Sequence, residues 1–216
     1  MKILCVTYRD WAKNIYTKLK QNKKKKQEFY FYYSKTGLNR KIKNINPDYI
    51  LFYGWSWFIN KKIFTKYNCF MLHPSPLPKF RGGSPIQNQI IRGKKISAVT
   101  IFKINKIIDG GDIYFQKKFS LNGTLQQIFE RIVKLGIEGT KKILSQKKIR
   151  VKKQNHSKST YFRRRSPKES EITMHEIKNK SAEYILSKIR MLDDPYPNAF
   201  IKVKNKKILI KKATIE

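Results

Sequence analysis

Cysteine is nearly missing from this chain: there are two, Cys5 and Cys69, each inside an apolar run that reads as a buried strand. Such residues act as small buried hydrophobes in a reducing compartment, not as a disulfide framework. The three histidines, His73, His156 and His175, lack HxxxH spacing and no CxxC pair accompanies them, so no metal is expected. No apolar stretch approaches the length of a membrane span. The start Met1–Tyr8 reaches Arg9-Asp10 too early for a signal-peptide core, and the expected compartment is the cytoplasm. Internal repeats are missing as well. Acids are scarce, 14 against 49 Lys and Arg, which gives a formal net charge of +35. That imbalance attracts polyanions such as nucleic acid, anionic membrane surfaces or phosphorylated substrates. The lysines are nevertheless spread along the whole chain, in runs such as Lys23–Lys26, as on a dispersed solvated surface. Charge alone therefore assigns no nucleic-acid face.

What is present is enough for a packed core. The 216 residues, 40% hydrophobic and 13% aromatic, allow one large domain with a small appendage. Lys2–Tyr8 reads as a strand, Trp11–Gln21 as an amphipathic helix with Trp11, Ile15 and Leu19 on one face, and Phe29–Tyr33 as a second strand. Tyr49–Tyr53 is a third strand stopped by Gly54, Trp57–Tyr67 a helix, and Asn68–Leu72 a fourth strand. The β-α-β-α rhythm predicts an α/β fold: a Rossmann-like, mostly parallel sheet with helices on both faces. Six prolines and glycines between Pro74 and Pro85 then make a rigid loop without regular structure. A short helix from Pro85, strands at Ser97–Ile104 and Asp112–Phe119, and a long helix to Ser145 capped by Thr124 complete this part. Lys147–Lys158 is a basic linker. Beyond it a helix at Ala182–Met191, a turn at Asp194-Pro195-Tyr196-Pro197 and strands at Ala199–Val203 and Lys207–Lys211 form a small α+β appendage. The expected division is a domain over residues 1–147 and a linker with a C-terminal subdomain over 148–216.

Two features carry chemistry. A buried strand empties into His73-Pro74-Ser75-Pro76-Leu77-Pro78-Lys79-Phe80-Arg81-Gly82-Gly83. Ligands of open α/β sheets bind outside the carboxyl ends of the strands, so an imidazole at that point projects into the crevice; the bland alternative is a histidine satisfied in a turn. The second feature is Asp109 in Ile108-Asp109-Gly110-Gly111-Asp112, where glycines permit a backbone that aims the carboxylate inward. Its bland alternative is a tight turn with a solvated Asp. A carboxylate beside an imidazole orients it and stabilises its protonated form.

The run His73–Gly83 followed by Ser84-Pro85-Ile86-Gln87 resembles the HPSxLPxxRGxxPIQ signature of the folate-dependent formyltransferases. Val99-Thr100-Ile101 through Ile108-Asp109-Gly110-Gly111-Asp112-Ile113 resembles that family's VTI…DxGDI stretch, and Tyr53-Gly54-Trp55 its folate-lining strand end. The resemblance covers about residues 1 to 145. It implies a formyl transferase whose cosubstrate is N10-formyltetrahydrofolate. His73 would stabilise the oxyanion and shuttle a proton to the departing nitrogen, and Asp109 would orient it. Tyr53, Gly54, Trp55, Trp57, Phe58, Ile108 and Gly110 would line the cofactor pocket. Ser75, Arg81, Gly82 and Gly83 would meet the acceptor. The family's asparagine, two residues before the histidine, is Met71 here, and a thioether donates no hydrogen bond. A substitute donor such as Asn88 or a backbone N–H, a slow enzyme, and a noncatalytic folate- or RNA-binding relative are the open outcomes.

The acceptor is read from the tail. Tyr161-Phe162-Arg163-Arg164-Arg165-Ser166-Pro167-Lys168-Glu169 resembles the arginine–proline segment of sugar-nucleotide N-formyltransferases, with Arg164 and Arg165 on a diphosphate. So do Ile189-Arg190 and Asp194–Phe200, a stretch that tRNA-directed enzymes share. The chain also ends at Glu216, short of the barrel expected of those enzymes. The expected acceptor is the amine of a nucleotide-linked amino-dideoxy sugar, as in lipopolysaccharide synthesis. Methionyl-tRNA is the alternative, kept open by the charge. The C-terminal strands would suit a homodimer.

Overall fold

The structure is a computed structural model that describes residues 1–145, 151–194 and 196–216. The chain runs β1 (Lys2–Val6), α1 (Asp10–Gln21), β2 (Glu28–Tyr32), α2 (Leu38–Ile45), β3 (Tyr49–Tyr53), α3 (Lys61–Lys66) and β4 (Asn68–His73). It continues through β5 (Arg81–Gly82), α4 (Pro85–Ile90), β6 (Ile96–Lys103), β7 (Ile113–Ser120) and α5 (Leu125–Ser145). After the undescribed residues come β8 (Tyr161–Phe162), α6 (Met174–Asn179), α7 (Ala182–Arg190) and the hairpin β9 (Ala199–Val203) and β10 (Lys206–Ile210).

Six strands form one sheet in the order β2-β1-β3-β4-β6-β7. The first four are parallel; β6 runs antiparallel to β4, and β7 antiparallel to β6. Alternate residues of each strand serve opposite faces. Ile3, Cys5, Leu51, Tyr53, Phe70 and Leu72 pack with α1, α4 and α5. Leu4, Val6, Ile50, Phe52 and Cys69 pack with α2 and α3 on the other face. The α/β sheet with helices on both faces and a small C-terminal sheet is thus as expected. In α5, Leu125, Ile128, Ile132 and Leu135 fall on one stripe and are buried, each contributing about 2 kcal/mol of apolar burial. Thr124 caps this helix, its Oγ1 accepting from Gln127 N at 3.2 Å. Gly136 lets the helix close in, because a Cβ there would stand 2.5 Å from Ile15 Cδ1 and 2.9 Å from Leu72 Cδ1.

The elements differ from expectation where tertiary packing competes with local pattern. The helix expected over Trp57–Tyr67 begins only at Lys61, because Asn60 caps it by accepting from Lys62 N at 2.9 Å. Upstream, Trp57 is drawn into an aromatic cluster, its ring 4.6 Å from that of Trp55 and 4.5 Å from that of Tyr8. Helix α2 has no counterpart among the expected elements; Gly37, at φ 82°, turns the chain into it, and Leu38, Ile42 and Ile45 seal the sheet. The proline-rich loop also holds a short strand, β5, paired parallel with β8. Gly82 permits this close pairing, since it sits at φ 92° and a Cβ there would strike the carbonyl of Phe162.

The expected boundary between residues 147 and 148 lies outside the described residues, as do the first residues of the expected linker and Pro195. From Lys152 the chain is a strap across the His73–Gly83 loop: Lys152 exchanges backbone hydrogen bonds with Ile113, each 2.9 Å, and β8 pairs with β5. Arg190 ties the appendage to the main body by donating to the carbonyls of Leu121 at 2.7 Å and Gly123 at 2.8 Å. Among the described residues no helix is long and apolar enough to cross a membrane.

Candidate active site

Strand β4 places Met71 and His73 on one face, two residues apart, at the wall of a cavity of about 840 Å³. The connection from β6 to β7 folds back so that Asp109 lines the same cavity. His73 Nδ1 stands 3.7 Å from Asp109 Oδ2, and both side chains are buried. That gap is longer than a hydrogen bond, so the pair is an electrostatic neighbourhood and the ring takes its orientation elsewhere. His73 Nε2 is 2.7 Å from the carbonyl of Phe80, to which an Nε2–H donates. Phe80 sits at φ 59°, a left-handed turn that brings its carbonyl under the ring. Asp109 is left-handed too, at φ 49°, and its Oδ2 accepts from Gly82 N at 2.8 Å. Two segments far apart in sequence therefore meet through one carboxylate. Among the described residues no group of metal-ligating side chains is found.

One flank of the cavity is apolar and aromatic. Gly54, Trp55, Trp57, Phe58 and Ile108 line it, joined by Phe102, Ile104 and Ile107, which sequence reading did not single out. The indole N–H of Trp55 is buried there without a hydrogen-bond partner among the described residues. The other flank is cationic: Arg9, Arg164, Arg165, Gly82 and Gly83 line it with Gln87 and Tyr196. Arg9 lies over the rings of Tyr8 and Tyr196, 4.7 and 5.7 Å from their centroids.

Four expected site residues are placed elsewhere. Tyr53 points to the opposite face of the sheet, where its hydroxyl meets Thr140 Oγ1 at 2.9 Å; a strand's alternation separates it from its neighbour Gly54. Gly110 serves the turn, its N–H donating to Ile107 O at 3.0 Å. Ser75 is buried, its hydroxyl donating to Lys79 O at 2.9 Å. Arg81 is 1% exposed, and its two terminal nitrogens are engaged by Tyr161 OH at 2.6 Å, Gln154 Oε1 at 2.6 Å and His156 Nδ1 at 3.1 Å. It braces the loop from behind and does not reach the cavity. Asn88 is no substitute donor either, since its amide donates to the carbonyls of Gly83 at 2.9 Å and Arg163 at 3.3 Å. The three arginines at 163–165 are also unequal. Arg163 and Arg165 share Glu169, at 2.9 and 3.6 Å, whereas Arg164 reaches across to Tyr8 OH at 3.4 Å and meets no carboxylate among the described residues.

A family model described as Formyl transferase matches residues 4–144, which include both segments that meet at Asp109. The chain belongs to the formyl transferase family. Members of this family are enzymes that transfer formyl groups. A second model, described as Methionyl-tRNA formyltransferase, C-terminal domain, matches residues 167–216 of this formyl transferase. The methionyl-tRNA formyltransferase of Thermotoga maritima is 32% identical over 74% of this chain and 52% of its own length. The chain thus spans about half the length of the curated relatives it matches. A solved structure, methionyl-tRNA formyltransferase from Clostridium thermocellum, is 37% identical with a TM-score of 0.90, covering 100% of this chain and 94% of that one. HypX from Aquifex aeolicus in complex with tetrahydrofolic acid is 18% identical with a TM-score of 0.81, covering 97% of this chain and 37% of that one, a likeness of fold.

These findings correct the expected acceptor. The arginine–proline segment was read as a mark of sugar-nucleotide enzymes, yet the stretch from Pro167 onward matches the C-terminal domain model of methionyl-tRNA formyltransferase, and the relatives carry that name. The physical reason for the misreading lies in Glu169, which occupies two of the three arginines within their own segment. The lipopolysaccharide role falls with it.

Proposed function

We propose that this formyl transferase formylates the amino group of methionyl-tRNA, with N10-formyltetrahydrofolate as donor. The observation that carries the chemistry is His73 beside Asp109 at the meeting of an apolar and a cationic flank. The acceptor reading rests on the names of the relatives, on the match of residues 167–216, and on the net charge of +35, which suits a polyanionic partner. The aromatic flank and the unpartnered Trp55 indole fit a pterin with hydrogen-bonding edges. When bound, the carrier supplies an activated formyl carbon on N10.

The protein's part is to hold charge and move a proton. With Nε2–H committed to Phe80, the mobile proton of His73 is the one on Nδ1, which faces Asp109. In its protonated form the ring sets positive charge beside the oxygen that gains negative charge as the amine attacks the formyl carbon. The carboxylate receives the proton that the amine loses, the C–N10 bond breaks, and His73 Nδ1 passes its proton to the departing nitrogen and is recharged from Asp109. Arg9 and Arg164 on the cationic flank are placed to hold acceptor phosphates.

Formylation by the purified chain is measured with N10-formyltetrahydrofolate and charged methionyl-tRNA. Formyl-methionyl-tRNA and tetrahydrofolate should appear together, and His73→Ala and Asp109→Asn should each lower kcat by roughly 10²-fold or more. No transfer to methionyl-tRNA, or a His73→Ala variant of undiminished rate, overturns the reading.

A further inference from the structure

We propose that Gln154 is a positioning residue for the transfer: from the strap it locks the Asp109 turn in its left-handed form and so keeps the carboxylate against His73. The inference rests on the reading of Asp109 as part of the proton path.

Asp109 sits at φ 49°, a left-handed conformation that aspartate visits but that costs energy, so contacts from outside the turn favour it over its alternatives. Three contacts do this. Asp109 Oδ2 accepts from Gly82 N, Lys103 N donates to Asp112 O at 2.9 Å, and the Gln154 amide caps the turn itself. Gln154 Nε2 donates to the carbonyl of Asp109 at 2.8 Å and to that of Gly111 at 2.7 Å. Both protons of the amide are spent on the two carbonyls that flank Gly110, so the backbone can neither flip at Asp109 nor slide at Gly111. The same amide is fastened at its other end, Oε1 accepting from Arg81 Nη2 at 2.6 Å. Gln154 is 6% exposed and Arg81 1%. Among the described residues no carboxylate lies within ion-pair distance of that guanidinium, whose partners are the neutral groups of Gln154, His156 and Tyr161. A cation on the amide oxygen polarises the amide and strengthens its donation to the turn. The chain His156–Arg81–Gln154–Asp109 thus joins the strap, the histidine loop and the carboxylate in one network, buried at Arg81 and Gln154. Gln154 lies outside the reacting centre and acts only through Asp109.

The test is a double-mutant cycle on kcat, with N10-formyltetrahydrofolate and methionyl-tRNA as substrates. Gln154→Ala should lower kcat roughly 10–100-fold, the cost of a loosened carboxylate, with KM for both substrates within about twofold. Gln154→Glu should do the same; it keeps an acceptor for Arg81, and hence the strap, but puts an oxygen against the two carbonyls. In an Asp109→Asn background, either substitution should change kcat by less than about twofold, because a positioning effect vanishes with the group positioned. An equal loss in both backgrounds, or a rise in KM without loss of kcat, overturns the proposal. If Asp109→Asn alone leaves kcat unchanged, it is the reading of Asp109 that fails, and the proposal with it.

Discussion

At the scale of single residues, position 71 decides how good a catalyst this chain is. Met71 shares a face of β4 with His73 and lines the cavity, with Phe52 beside it on β3 and Phe102 on β6. A thioether there offers no donor to a developing oxyanion. The nearby N–H groups of Gly82 and Gly83 are committed to Asp109 and Phe162, and Asn88 is committed as well. Gln87, which lines the cavity, is turned toward the Tyr196 hydroxyl. Replacing Met71 by Asn should therefore raise kcat roughly tenfold or more, since a lost oxyanion donor typically costs that and above. A steady-state assay showing an unchanged or lower rate would mean that the thioether is no handicap. His73 and Asp109 were legible because strand end and glycine turn are local signals. Tyr53 and Arg81 were misplaced because sheet face and burial are not.

At the scale of elements, the appendage is held by polar ties as much as by its core. Thr173 and Glu176 form a capping box at the start of α6, and Glu176 also meets Lys188 of α7 at 2.7 Å. Lys188 is 3% exposed, so it depends on that carboxylate. Burial pushes the Glu176 carboxyl up, but the Lys188 ammonium and the Thr173 N–H outweigh it and the net shift is downward. A lowered folded-state value means stability that is present above the unfolded glutamate pKa, about 4.3, and lost as pH falls through the folded one. Glu176→Gln should thus cost about 2 kcal/mol at pH 7 by leaving Lys188 unpaired, with a gap in Tm that closes below about pH 4. Thermal melts across pH would show it; a gap constant down to pH 3 would not fit. Helix α5 was legible from its period and its Thr124 cap; α7 was legible as an element, and the structure adds Ser181 as its cap. Helix α2 was not, because its start depends on a left-handed Gly37 rather than on a side-chain cap.

At the scale of the whole molecule, the +35 charge is general but its placement is selective. All three consecutive arginines line the cavity; Arg164 meets no carboxylate among the described residues, while Arg165 is held by Glu169. If the acceptor is a tRNA, Arg164→Ala should reduce the slope of log affinity against log salt by about one. Arg165→Ala should leave that slope nearly unchanged. Binding titrations over a salt series would separate the two, and equal slopes for both variants would remove Arg164 from the interface.

By itself the sequence determined the class of fold, the loop that carries His73, the turn that carries Asp109, and the family, because each is written in contiguous residues with local steric demands. Only the tertiary structure decided which faces look into the cavity, that Arg81 is a brace, and that Phe80 orients the imidazole. It also brought Gln154, across 45 residues, onto the carbonyl of Asp109. These relations depend on the register between segments distant in the chain, and no stretch of neighbouring residues encodes that register.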